Sequence, residues 1–92
     1  MIYRSRMEII AMILQTAIQG ATKTRIMYAA YMSYQQLNDY LEFLQENDLI
    51  QREKETDLYR VTEKGNRFLN ASNKLNELIS FKDSEFNESF GT

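Results

Sequence analysis

The sequence predicts a mainly α-helical fold with one small β-hairpin, ending in a long helix of coiled-coil character. Three observations predict it. Apolar residues recur at three- and four-residue steps through most of the chain. Two short runs, 49–53 and 58–61, break that pattern and read as strands, joined by a charged link of hairpin length over 54–57. Beyond them, Phe68, Ala71, Leu75, Leu78 and Lys82 alternate three- and four-residue steps, the seam of a coiled coil.

The first helix is expected over 5–19. Ser5 and Glu8 stand at capping-box spacing, in which a hydroxyl and a carboxylate satisfy two free N–H groups. Ile9, Ile10, Ile13, Leu14 and Ala17 then follow helical spacing, and Gly20 is expected to end the element. A short second helix is expected from Lys23 to Ala29, capped by Thr22, followed by a tight connection through Ala30, Tyr31 and Met32.

The third helix, about 34–46, repeats the capping box with Ser33 and Gln36. It is expected to bury Leu37, Leu41 and Leu44, with Tyr40 flanking them. Its other face is polar: Gln35, Gln36, Asn38, Asp39, Glu42, Gln45 and Glu46. Asn47 and Asp48 stop it. In the second strand, Tyr59 and Val61 share one face while Leu58 and Arg60 share the other. Thr62 caps a fourth helix reaching Ile79 or Lys82, with Leu69 and Ile79 widening its apolar stripe. The polar remainder, 83–92, is expected to fray or be disordered. The chain thus divides into a head over 1–62, a helix over 63–82 and an acidic tail over 83–92.

Composition narrows function. With no cysteine and no histidine, thiolate and imidazole metal ligands are missing, and so is the commonest general base at neutral pH. No glycine cluster forms a phosphate loop, and no nucleophile–base pair stands out. These features point away from an enzyme, a metal and a cofactor. No apolar run has membrane-spanning length. The N-terminal region has two arginines followed by apolar residues, but Glu8 and Gln15 interrupt it and no cleavage site follows, so a cytoplasmic protein is expected.

The net charge of -2 weighs against nucleic acid, because phosphate contacts need lysine and arginine. Its distribution matters. Residues 77–92 hold four acids and one base, leaving ten bases and nine acids in 1–76.

The element order is helix, helix, tight turn, helix, hairpin, long helix. The helix-turn-helix pair is a DNA-reading unit whose second helix enters the major groove, and the following hairpin is a wing. Gln35, Gln36 and Asn38 stand near the start of the third helix, and such amides bond adenine edges. Arg52, Lys54 and Arg60 put cations on the hairpin, and Lys23 and Arg25 open the second helix. Glu53, Glu55 and Asp57 surround the hairpin cations, so a mixed-charge solvated hairpin fits as well. Tyr28, Tyr40 and Tyr59 are expected in the core or its rim, and Tyr34 is the tyrosine placed to touch DNA.

The runs Lys23-Thr24-Arg25-Ile26-Met27-Tyr28, Met32-Ser33-Tyr34-Gln35-Gln36-Leu37 and Tyr59-Arg60-Val61-Thr62-Glu63-Lys64-Gly65, with Tyr40-Leu41 and Leu49-Ile50 between them, resemble an archaeal winged-helix family. That family includes small dimeric chromatin-associated DNA-binding proteins. The resemblance covers about 5–80. It implies that the helix over 34–46 is the recognition helix. It also implies that the C-terminal helices of two subunits pair as an antiparallel coiled coil.

The expected partners are therefore double-stranded DNA and a second copy of the chain. The expected DNA contacts are Lys23, Arg25, Ser33, Tyr34, Gln35, Gln36, Asn38, Arg52, Lys54 and Arg60. The expected dimer contacts are Phe68, Ala71, Leu75, Leu78 and Ile79. Chromatin-type relatives are usually basic whereas this chain is acidic, which points to a sequence-selective transcriptional regulator. The competing reading is a winged-helix adaptor that binds a partner protein instead of DNA.

Overall fold

The structure is a computed structural model that describes the backbone of residues 5–90 and the side chains of that span other than residue 76 and residues 79–90. Four helices and one hairpin follow in order: α1 (Arg6–Thr16), α2 (Lys23–Ala30), α3 (Tyr34–Glu46), β1 (Ile50–Arg52), β2 (Tyr59–Val61) and α4 (Glu63–Phe90). Each of the first three helices starts where a side-chain oxygen accepts from an N–H of the first turn. Ser5 and Ser33 form complete capping boxes with Glu8 and Gln36, and Thr22 accepts from the Arg25 N–H at 3.2 Å.

The end of α1 departs from the expected boundary. The helix stops at Thr16, and Ala17 is its C-cap. The cause is tertiary. Ala17 is buried, and its carbonyl accepts the N–H of Val61 at 3.2 Å and that of Gly20 at 3.0 Å. Gly20, at φ 90, redirects the chain three residues beyond that cap. Ala21 then pairs with Tyr59 through two backbone hydrogen bonds of 2.9 and 2.8 Å. The segment before α2 thereby leans on the edge of the hairpin.

β1 and β2 pair antiparallel, Ile50 opposite Val61 and Arg52 opposite Tyr59. The strands are one to two residues shorter than expected. The ladder closes with the Glu53 N–H donating to the Leu58 carbonyl at 2.8 Å, and Asp57 turns the link at φ 60.

The core lies where α1, α2, α3 and the hairpin meet. Ile13, Leu14, Ile26, Leu37, Leu44 and Ile50 are fully buried there. Truncating any one of these leucines to alanine costs about 2–5 kcal/mol, the usual price of a buried cavity. Tyr59 is buried and Tyr40 half-buried, as expected. Tyr28 is a correction, since it is 71% exposed. α2 buries Ile26 and Ala30, and a residue two positions from each lies about 200° around the helix, on the solvent side.

α4 starts at Glu63 with Thr62 as its cap. The Thr62 hydroxyl accepts the Gly65 N–H at 3.0 Å and donates to the Asp48 carbonyl at 2.6 Å. Leu69 enters the core and Phe68 packs against it. Leu75 and Leu78 are exposed, at 56% and 71%. The α4 backbone runs beyond Lys82 to Phe90; the side chains of Ile79, Lys82 and the expected tail over 83–92 lie outside the described residues.

Candidate nucleic-acid interface

α2 and α3 form the helix-turn-helix. α2 ends on Tyr31, which takes the left-handed conformation at φ 53 and ψ 49. Its N–H donates to Tyr28, and that of Met32 to Met27, which closes the turn so that Ser33 can cap α3. The fold then brings the N-termini of both helices together. Lys23 Nζ lies 5.0 Å from the centroid of the Tyr34 ring and donates to its hydroxyl at 3.5 Å. Arg25, Ser33, Tyr34 and Gln35 are exposed on the same two first turns.

Charge is segregated around this corner. Residues 9–38 contain no aspartate or glutamate, and the two cations among them are Lys23 and Arg25. All thirteen acids of the chain lie outside that block. The corner is locally basic in an acidic protein, and the free N–H groups of helix N-termini add to its attraction for anions.

α3 presents three different surfaces. With Leu37, Leu41 and Leu44 buried, Gln35, Asp39, Glu42 and Glu46 face outward. Gln35 Nε2 donates to Asp39 at 3.4 Å. Gln36 sits on one flank, where its Oε1 accepts the Ser33 N–H at 3.0 Å and it lines a groove with Arg6, Asp39, Tyr40 and Phe43. Asn38, half-buried, occupies the opposite flank, toward Tyr34. Gln35 and Gln36, adjacent in sequence, therefore do different things. Only the first half of the outward face is free of carboxylates.

The hairpin cations are set differently. Arg52 pairs with Asp57, its Nε donating to Oδ1 at 2.6 Å. Arg60 pairs across the ladder with Glu53, with Nε 3.0 Å from Oε2. The hydrogen bond to Asp57 holds Arg52 above the ordinary arginine value, and the hydrogen bond to Glu53 does the same for Arg60. The Arg60 guanidinium and then the Thr56 hydroxyl hold the Glu53 carboxyl below its ordinary value. Arg60 also lies against Gly20. Lys54 is exposed, and no ion pair involves it among the described residues. The hairpin's cations stand among as many acids, whereas Lys23 and Arg25 at the α2–α3 corner lie in a stretch without acids.

The model of the winged helix-turn-helix family matches residues 3–80. The chain belongs to that family. A relative from Methanocaldococcus jannaschii, described as an uncharacterized protein, is 35% identical over 80 residues, covering 86% of this chain and 80% of its own. The winged-helix fold also superposes on the crystal structure of Sso10a-2, a DNA-binding protein from Sulfolobus solfataricus. The TM-score is 0.70 at 26% identity, covering 97% of this chain and 99% of that one. No helix among the described residues is long and apolar enough to cross a membrane.

What sequence reasoning missed is tertiary. The pairing of Arg52 and Arg60 depends on ladder register and on the turn at Asp57. The left-handed Tyr31 carried no signal of its own, since neither glycine nor asparagine stands there and the helix reaches Ala30, one residue past its expected end.

Proposed function

We propose that this winged-helix protein binds double-stranded DNA as a homodimer and acts as a sequence-selective transcriptional regulator. The observation that carries the reading is the acid-free block over 9–38, whose two cations stand at the joined N-termini of α2 and α3. The description of the structurally similar Sso10a-2 as a DNA-binding protein supports it.

In this reading the first half of α3 enters the major groove, and Asp39, Glu42 and Glu46 keep its second half away from phosphate. Lys23, Arg25 and the Ser33 end of α3 hold the backbone, while Tyr34, Gln35 and Asn38 face base edges. Gln36 supports the cap. Lys54 is the wing cation ready for phosphate, and Arg52 and Arg60 must release carboxylates before they contribute. The head over 1–62 reads DNA and the helix over 63–82 pairs two copies through Ala71, Leu75, Leu78 and Ile79, with Phe68 at the junction. A symmetric dimer implies two half-sites of palindromic sequence.

The test is a duplex titration at two salt concentrations. Binding that weakens as salt rises is expected. Failure to bind any duplex, genomic or random, at low salt overturns the reading. That outcome would favour the adaptor, for which the balanced wing and the exposed Met7 and Phe43 speak.

A further inference from the structure

We propose that the α2–α3 turn is a second nucleic-acid site, which takes unpaired bases of single-stranded DNA on the rings of Tyr28 and Tyr31 beside Tyr34. The proposal extends beyond duplex binding and does not depend on it.

Three observations on this turn converge. The first is exposure. Tyr28, Tyr31 and Tyr34 are 71%, 86% and 58% exposed within seven residues of chain. Between residues 19 and 42 these are the exposed large apolar side chains among the described residues; the aliphatic ones of this stretch turn inward. A duplex keeps its base faces stacked and offers little to a flat ring, whereas unpaired bases expose their faces and stack on aromatic side chains with little regard to sequence.

The second observation is backbone strain. Tyr31 holds φ 53 and ψ 49, a conformation in which glycine or asparagine is at ease and a bulky side chain is not. Glycine at this C-cap would favour the fold. The ring at Tyr31 contributes nothing to the core, being the most exposed of the large apolar residues. A strained, solvent-facing aromatic points to a surface role.

The third is charge. The turn lies inside the acid-free block, with Lys23 on the Tyr34 ring and Arg25 exposed on the preceding helix. A strand whose bases lie on the tyrosines has its phosphates within the field of two cations and no carboxylate of the same block. That complementarity favours a polyanion over a protein partner.

The experiment uses the full chain and fluorescence anisotropy with a labelled oligothymidine of about twelve nucleotides, a length that covers one such site, and a duplex of equal length. Thermal melting and sedimentation accompany each variant. The wild type is expected to bind the single strand. Tyr31→Gly and Tyr28→Ala are each expected to weaken that binding about five-fold or more, the loss implied by removing one base stack. Their duplex affinity is expected to stay within about two-fold, since neither ring is needed for the duplex contacts. The Tyr31→Gly melting temperature is expected to hold or rise. The proposal is overturned if the wild type does not bind the single strand, whatever it does with the duplex, or if both variants bind the single strand as the wild type does. It is also overturned if the variants alter self-association while leaving single-strand affinity intact, which would assign the rings to a second copy of the chain. A wild type that binds the single strand but no duplex would refute the major-groove reading and leave this one standing.

Discussion

Lys23 rests its ammonium 5.0 Å from the centre of the Tyr34 ring, joining the first turn of α2 to the first turn of α3. An exposed cation–π contact of this kind is worth about 0.5–1 kcal/mol. Its main consequence is placement: the lysine is held at the corner where both helix N-termini open. Lys23→Ala is therefore expected to lower duplex affinity evenly across sequences and to reduce the salt slope by about one per protomer. The melting temperature should move little. Anisotropy titrations across a salt series check this, and an unchanged slope would remove Lys23 from the interface.

Gln35 and Gln36 are neighbours with separate duties. The Gln36 side chain accepts the Ser33 N–H at 3.0 Å as the second half of the capping box. Gln35 faces outward and touches Asp39. Gln36→Ala is expected to cost about 0.5–1 kcal/mol of stability, as loss of a cap contact does. Gln35→Ala is expected to leave stability alone and to reduce discrimination between duplex sequences more than nonspecific affinity. Denaturant unfolding and competition binding separate the two outcomes; a specificity ratio unmoved by Gln35→Ala would sink its base-reading role.

Much of this fold was legible because its signals are local. Ser5, Thr22, Ser33 and Thr62 each announce a helix start through a single side-chain oxygen a few residues from the N–H it satisfies. α3 runs over 34–46 as its leucine spacing and flanking caps suggest. The features that escaped need a distant partner. α1 ends at Thr16, and the Ala17 carbonyl that follows accepts the N–H of Val61, a partner far along the chain that the local sequence does not signal. Tyr28 is exposed because it lies about 200° around α2 from Ile26 and Ala30, which take the buried face. At the candidate site, Lys23 and Arg25 were readable as charge, but the neutralisation of Arg52 and Arg60 follows from the hairpin's register and turn.

Gly65 shows two effects of opposite sign. It lies in the first turn of α4, where alanine usually stabilises a helix by about 1 kcal/mol over glycine. Here an added β-carbon would collide with the Leu49 carbonyl oxygen and stand 2.7 Å from Val61 Cγ1. That carbonyl is not free to retreat, since it accepts the Thr62 N–H at 3.1 Å. Overpacking costs about 1–3 kcal/mol and more against backbone, so it outweighs the propensity gain. Gly65→Ala is expected to lower the denaturation midpoint, and a midpoint that rises would show that α4 can shift away from the hairpin.

The Glu53–Arg60 pair makes a directional prediction for pH. Hydrogen bonds from Arg60 and Thr56 lower the Glu53 carboxyl in the folded state. A lowered folded value means the stabilisation is present above the unfolded glutamate value, near pH 4.3, and is lost as pH falls through the folded value. Both side chains are well exposed, at 42% and 40%, so water and salt keep the effect small. Glu53→Gln should therefore lower neutral-pH stability slightly and, by the same small amount, flatten the loss of melting temperature as pH falls below the unfolded glutamate value. Identical acid profiles for wild type and variant would show that the pair contributes nothing.

Leu69 and Leu75 lie on one helix but in different environments, and that difference tests the proposed dimer. Leu69 is 4% exposed in the head's core, whereas Leu75 is 56% exposed with no core beneath it. Glutamate and leucine have similar helix propensity, so Leu75→Glu leaves an isolated chain's stability almost untouched. In a paired seam the same substitution puts a carboxylate into the apolar interface and removes the apolar contact. Leu75→Glu is expected to give a folded monomer by sedimentation, with the helical circular dichroism of the head preserved. Leu69→Glu, by contrast, should unfold the head, because it buries an unpaired carboxylate. A Leu75→Glu variant that still sediments as a dimer would exclude this face of α4 as the seam.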